Sequence, residues 1–240
     1  MSIRRIDGCM FNSGAQALLN PVNCVGVVST SFALDWRFRY PAMFTDYIRR
    51  CNTRQVKVGR PWTWQCEHTG KTLINFPDRF EWRPPVDLRS LQLGLEELAN
   101  WLQASGIKRV AMPLLGVERG GLSVASSEQL MRDGLGKVSA DVTLYSSHPQ
   151  LRDDLIDGFT ALILANDEYA IAEMFAMKGM LTRTVVEAVR RGQVQQLIQL
   201  RMIPGVGIKT LETIYRVMLA AQRGAAGAAA GQAPRVSRRA

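Results

Sequence analysis

A three-layer α/β/α domain with a mixed sheet, followed by a small all-α domain, is the architecture this 240-residue sequence predicts. Three observations carry that reading. Up to residue 147, short apolar segments alternate with helical patterns. Between Asp87 and Ser105, Leu88, Leu91, Leu95, Leu98 and Leu102 recur at three- and four-residue steps, which makes one apolar helical stripe. From 150 to 222 no segment reads as a strand.

The elements follow in order. Strands are expected near Arg4, Ala17, Trp62, Leu73, Val110 and Val142. A helix is expected over Phe32–Phe38, with Ser31 able to cap it. A second begins after Arg39-Tyr40-Pro41. Gly106 follows the leucine stripe as a C-terminal stop. Beyond 150, five helices are read: Leu151–Ala165, Glu168–Met177, Leu181–Arg191, Val194–Leu200 and Ile208–Gln222. Gly158, Gly179 and Gly192 punctuate them. Arg223–Ala240 is rich in Ala and Gly, with Arg235, Arg238 and Arg239 near its end. Such a segment buries too little apolar surface to order itself, so a disordered basic tail is expected. The domains are thus 1–147, 150–222 and 223–240.

Composition narrows the function classes. A hydrophobic content of 47% is ordinary for a globular chain. No apolar run reaches the length of a membrane span. The N-terminus lacks a signal-like h-region, so a cytoplasmic protein is expected. Cys9, Cys24, Cys51 and Cys66 show no C-x-x-C spacing, which suggests neither a zinc site nor a disulfide framework. No metal or cofactor is expected. A net charge of +9 favours an anionic partner.

The chemistry lies at three strand exits. Ala17-Leu18-Leu19 runs into Asn20-Pro21-Val22-Asn23, where two carboxamides do nothing for a core. Leu73-Ile74-Asn75-Phe76-Pro77 runs into Asp78-Arg79-Phe80-Glu81-Trp82-Arg83. Val110-Ala111-Met112-Pro113 empties into a loop bearing Gly116, Gly120, Gly121 and Leu122, where backbone N–H groups would approach a phosphate closely. Open α/β sheets bind ligands beyond the carboxyl ends of their strands. The three exits therefore suggest one crevice.

Together these segments resemble the macrodomain family, and within it the DarG-type DNA ADP-ribosyl glycohydrolase antitoxins. The resemblance covers residues 1–147. It includes Arg39-Tyr40-Pro41, Tyr47 to Cys51, Val58-Gly59 and Gly94-Leu95. It implies a site for ADP-ribose or a related nucleotide, removal of ADP-ribose from DNA, and a DNA-modifying toxin as partner. Asn23 matches the asparagine beside the distal ribose, where a carboxamide would orient a hydroxyl or a water. Asn20 matches a residue that braces the loop.

Departures from the family pattern matter equally. Val28-Ser29-Thr30-Ser31 stands where a Gly-Lys-Gly-type phosphate loop is usual, so Gly26 and the hydroxyls of Ser29, Thr30 and Ser31 become the phosphate-side candidates. Arg79 stands in the place of the catalytic lysine. Arginine clamps anions but does not shed its proton as a buried lysine does. Its bland role is a surface ion pair with Asp78 or Glu81. Glu118 replaces a glycine of the third loop. Cys9 takes the adenine-side position, leaving Asp7 as the candidate substitute. Catalytic roles therefore fall to Asn23 and Arg79. Two explanations stay open: a different nucleotide or modified base, or a non-catalytic binding module of a toxin–antitoxin or phage-defence system.

The helical region has its own signal. Ile203-Pro204-Gly205-Val206-Gly207-Ile208-Lys209 resembles a helix-hairpin-helix motif. Its tight hairpin would expose amides at a helix start, with the helix dipole adding positive potential. Gly205, Gly207 and Lys209 are the candidate DNA-phosphate contacts. From Lys178 onward, eleven cations face only Glu187 and Glu212, so the chain's excess positive charge lies here. The bland alternative is a hairpin that packs helices or docks a protein.

Overall fold

The computed structural model describes residues 2–28, 30–81, 83, 86–117, 121–146 and 148–231, with side chains described as far as 224. Six strands form one sheet: β1 Ile3–Asp7, β2 Ala17–Asn23, β3 Trp62–Gln65, β4 Thr72–Arg79, β5 Arg109–Pro113 and β6 Asp141–Ser146. Their order is β1-β6-β5-β2-β4-β3. All neighbours are parallel except β3, which runs antiparallel to β4. Every strand lies where the sequence places one.

Period-two alternation builds the three layers. Ala17 and Leu19 of β2, Ile74 and Phe76 of β4, and Val110 and Met112 of β5 face one core cluster. That cluster is closed by α3 (Leu88–Ser105) and α4 (Val124–Leu135), through Leu91, Leu95, Leu98, Leu102, Met131 and Leu135. Leu18 and Val22 of β2, Leu73 of β4 and Ala111 of β5 face the opposite cluster. There they meet Trp36 of α1 (Ser31–Arg39) and Met43, Tyr47 and Cys51 of α2 (Pro41–Asn52).

The leucine stripe of α3 is buried except at its first member. Leu88 is 50% exposed because the helix has only begun there. Each fully buried leucine contributes about 1.5–3 kcal/mol of transfer free energy. Asp87 caps α3 by accepting the Ser90 N–H at 3.0 Å. The helix lies so close to β4 that a Cβ at Gly94 would sit 2.5 Å from Phe76 Cζ. Only glycine fits that approach.

The chain divides into two compact units, Met1–Asp154 and Leu155–Ala240, a boundary seven residues beyond the expected 147. The second unit holds α5 Ile156–Ala165, α6 Glu168–Phe175, α7 Gly179–Arg190 and α8 Ile208–Gly231. Its core joins Phe159 to Phe175, ring centroids 5.4 Å apart, with Val185, Leu197, Leu211, Ile214 and Tyr215 buried.

Three helix expectations need correction. The helix expected from Leu151 begins at Ile156, because the buried Asp154 is held by Arg39 instead. Val194–Leu200 is a 3-10 turn over Leu197–Met202 rather than an α-helix; the Gln196 and Gln199 side chains cap its start reciprocally. The last helix does not stop at Gln222 but continues to Gly231. Alanine is the best helix former, which offsets the interrupting glycines. The rest of the expected disordered tail, 232–240, lies outside the described residues. Among the described residues, no helix is long and apolar enough to cross a membrane.

Candidate nucleotide crevice at the strand exits

Strand order explains where a crevice opens. After β2 the chain passes to β4 on one side, then crosses back to β5 on the other. Ligands bind at such reversals. Among the described residues, β2 and β5 are in register only at Ala17–Val110 and Leu18–Ala111. The β2–β4 ladder continues to the end and sets Asn23 opposite Arg79. The two residues chosen from sequence as catalytic candidates are therefore neighbours.

A cavity of about 60 Å³ sits at this exit. Asn20, Pro21, Val22, Asn23, Val27, Val28, Thr30, Ala33, Trp36, Phe44, Tyr47, Asp78 and Arg79 line it. Four sequence-derived candidates thus share one pocket: Asn20, Asn23, Thr30 and Arg79.

The asparagines are firmly engaged. Asn20 Nδ2 donates to Asn75 Oδ1 at 3.0 Å, a buried bond that ties β2 to β4. Asn23 Oδ1 accepts the amide N–H groups of Val25 and Val27, each at 3.1 Å. Its Nδ2 donates to the Val27 carbonyl at 2.7 Å. The Tyr47 hydroxyl donates to the Asn23 carbonyl at 2.8 Å. The Asn23 carboxamide shapes the 24–27 loop, using one of its two Nδ2 hydrogens. Gly26 completes the turn at φ 76°, where a Cβ would also meet Ile48 at 3.0 Å. Burial pushes the Tyr47 phenol up, with Cys51 adding to it, so it stays a neutral donor.

Arg79 forms a fork with its neighbour. Nε and Nη2 donate to the two carboxylate oxygens of Asp78, each at 2.9 Å. The pair is buried, not the surface pair considered from sequence. Burial pushes the Asp78 carboxyl up, and Arg79 pulls it back. Next to the pair, burial raises the Cys24 thiol to about 11, with Cys51 and Asp78 reinforcing it. Cys24 is therefore a thiol at neutral pH, not a nucleophile.

Other candidates fall differently. Thr30, not Ser31, caps α1: its Oγ1 accepts the Ala33 N–H at 3.1 Å, and Ser31 is the first helical residue. Ser29 lies outside the described residues. Gly116, Gly121 and Leu122 follow β5, and the Leu122 amide donates to the Gly116 carbonyl at 2.8 Å. They are not among the residues lining the cavity. Gly120 and Glu118 lie outside the described residues. Asp7 ends β1 at the sheet edge, with β6 and β5 between it and β2. Sequence reasoning missed Trp36, Phe44 and Asp78 as lining residues and took Tyr47 only as part of a resemblance. The signal was the Met43–Tyr47–Cys51 spacing on α2, which aims Tyr47 inward.

Comparison with known proteins settles the lineage. The macrodomain of Mycobacterium tuberculosis DarG superposes with a TM-score of 0.57 at 33% identity, over 60% of this chain and 97% of that one. The chain belongs to the DarG macrodomain family. The DNA ADP-ribosyl glycohydrolase of the same organism is 38% identical over 126 residues, 51% of this chain and 36% of that protein. The chain spans little more than a third of the length of that curated relative. Thermosipho africanus DarTG, solved in complex with ADP-ribose, matches at 25% identity and a TM-score of 0.56, over 62% of this chain and 42% of that one. No family model matches the chain.

Proposed function

We propose that the β2–β4–β5 crevice recognises ADP-ribose, or a closely related nucleotide, carried on DNA. The observation that carries this is the strand-exit pocket in a DarG-type macrodomain, with Asn23 and Arg79 set opposite each other. Arg79 would steady negative charge on the ligand, and the amides of the 24–27 loop, with those of Gly116, Gly121 and Leu122, would serve its phosphates. Asn23 would orient the distal ribose or a water. A DNA-modifying toxin is the partner this reading implies. Calorimetric titration with ADP-ribose, followed by a release assay on ADP-ribosylated DNA, tests it. Binding with release supports an eraser; absence of binding at millimolar ADP-ribose removes the reading.

The Asp78–Arg79 fork favours a second reading, a module that binds without turnover. An arginine held by a carboxylate is a clamp rather than a proton carrier. Binding without release in the same assay selects it.

The hairpin is proposed to hold DNA through backbone phosphates. Supporting this, Pro204, Gly205, Gly207 and Lys209 are exposed while Val206 is buried as the anchor. Gly205 has φ 90°, and the Leu211 amide donates to the Gly207 carbonyl at 3.1 Å, which opens α8 at the hairpin. Fluorescence anisotropy across a salt series tests it. Affinity falling steeply with salt, and weakened by replacing both glycines, supports phosphate contact. A folded double variant that binds as tightly as wild type overturns it.

A further inference from the structure

Two helices of the second unit meet through a turn of fixed geometry. α6 ends at Phe175 and α7 begins at Gly179, so three residues join them. Ala176 takes the left-handed conformation at φ 51°. Its amide donates to the Glu173 carbonyl at 3.4 Å, and the Met177 amide donates to the Ala172 carbonyl at 3.0 Å. That pair of bonds is a Schellman closure, which reverses the chain, and Met177 is buried as its anchor. Lys178 then opens α7, its carbonyl accepting the Leu181 and Thr182 amides. Along α7, Thr182, Val185, Val186 and Val189 are buried. Met180, Arg183, Glu187 and Arg190, at steps of three, four and three, form one exposed stripe. Charge is segregated between the two helices. Asp167, Glu168 and Glu173 belong to α6 and its cap, with no cation among 167–177, whereas Lys178, Arg183, Arg190 and Arg191 face only Glu187.

We propose that α6 and α7 form a helix-turn-helix whose second helix enters the major groove of duplex DNA and reads its sequence through the Met180–Arg190 stripe. This goes beyond the crevice and beyond the hairpin. Phosphate contact at the hairpin carries no sequence information, whereas side chains at base edges do. A tight turn between two packed helices, the second one facing outward, is the arrangement that presents a reading helix. At twelve residues α7 is about 18 Å long, and the major groove, about 12 Å wide, admits a helix. The N-terminal half of such a helix meets the bases. Arg183, with its side chain 70% exposed, would take guanine O6 and N7, and Met180, 76% exposed, a thymine methyl. Glu187 would accept from a cytosine amino group. The Arg183–Glu168 pair, 3.5 Å apart and exposed at both ends, costs little to give up. Arg190, at the far end, would meet a phosphate. The Cβ position of Gly205 lies 3.4 Å from Leu181 Cδ1, so the hairpin sits against the start of α7 and would hold the strand beside the groove. Three charges in a stripe of four suit base edges and phosphates better than the apolar centre of a protein interface.

The test takes the full chain through rounds of selection against a randomised duplex library. The enriched duplex and a scrambled copy are then titrated by fluorescence anisotropy. Arg183→Ala, Arg190→Ala and the Gly205→Val, Gly207→Val double variant accompany wild type. Both arginines are exposed, so neither change threatens the fold, and thermal melting verifies that. Scrambling a site of several base pairs, at roughly tenfold for each wrong pair, should cost wild type at least about 100-fold. Arg183→Ala should lose about tenfold on the enriched duplex and less than about threefold on the scrambled one. Arg190→Ala should weaken both alike. Absence of any enriched sequence, or an equal loss on both duplexes in Arg183→Ala, overturns the proposal. Sequence-independent binding that the glycine variant abolishes also overturns it and leaves the hairpin as the DNA contact. Enrichment that survives the glycine variant keeps α7 as the reading helix and removes the hairpin proposal. No binding to either duplex overturns both, and the exposed stripe is then a protein-docking face.

Discussion

Two buried arginines in the first unit do different work. Arg39, with its side chain 3% exposed, reaches Asp35 within α1 at 2.7 Å and Asp154 at 2.7 Å, 115 positions away. Its guanidinium also lies 4.1 Å from the centroid of the Phe11 ring. Arg79 forks onto Asp78, the residue beside it. Closing the Arg39 pair fixes a long stretch of chain, whereas closing the Arg79 pair fixes almost none. The first is architecture. The second presets a cation at the wall of the strand-exit cavity, where an already ordered side chain would cost little to use in the proposed binding. Sequence distance between partners thus separates an ion pair that ties distant chain together from one that only orders its own neighbour.

The comparison breaks most visibly at Arg39. Arg39→Met should cost about 3–5 kcal/mol, because Asp35 and Asp154 would remain buried without their cation. Urea unfolding followed by tryptophan fluorescence reads this. A loss no larger than about 1 kcal/mol would place Arg39 and Arg79 in one class. Arg79→Lys comes next. Stability should change by less than Arg39→Met, while release from ADP-ribosylated DNA should rise about 100-fold, because a buried lysine transfers a proton where arginine does not. Loss of a strong wild-type turnover in that variant would show a specific arginine role.

The loop opposite Arg79 sharpens the same contrast. Tyr47→Phe removes the hydroxyl that donates to the Asn23 carbonyl. It should cost about 1 kcal/mol. Hydrogen exchange at the Val25 and Val27 amides, both held by Asn23, should quicken. Unchanged exchange would mean that Asn23 shapes the loop without Tyr47. The smallest effect is in the second unit. Ala176 ends α6 at φ 51°, a left-handed position that favours glycine. Ala176→Gly should raise stability by up to about 1 kcal/mol, read as a higher Tm.

All six strands were legible because buried strands alternate against two cores, and the leucine stripe of α3 was legible because its period is helical. The second unit was less so. Asp154 is held by a partner 115 positions away, and no local pattern announces that the helix expected from Leu151 must wait until Ile156. The same limit applies at the site. Strand exits located Asn20, Asn23 and Arg79, because polar residues after apolar runs are a local signal. Trp36 and Phe44 read as core, and they reach the pocket only through helix packing. Asp78 was visible as a partner of Arg79, but its burial depends on the neighbouring strand. Thr30 and Ser31 differ by one position, and only backbone geometry tells the cap from the first helical residue.

The central claim is that the crevice at the exits of β2, β4 and β5 takes ADP-ribose. Hydrogen-exchange mapping with and without saturating ADP-ribose addresses it most directly. The account predicts slowed exchange confined to the 23–33, 76–80 and 114–122 segments, with the second unit unchanged. Protection elsewhere with these segments unaffected, or no protection at any ADP-ribose concentration, would contradict it.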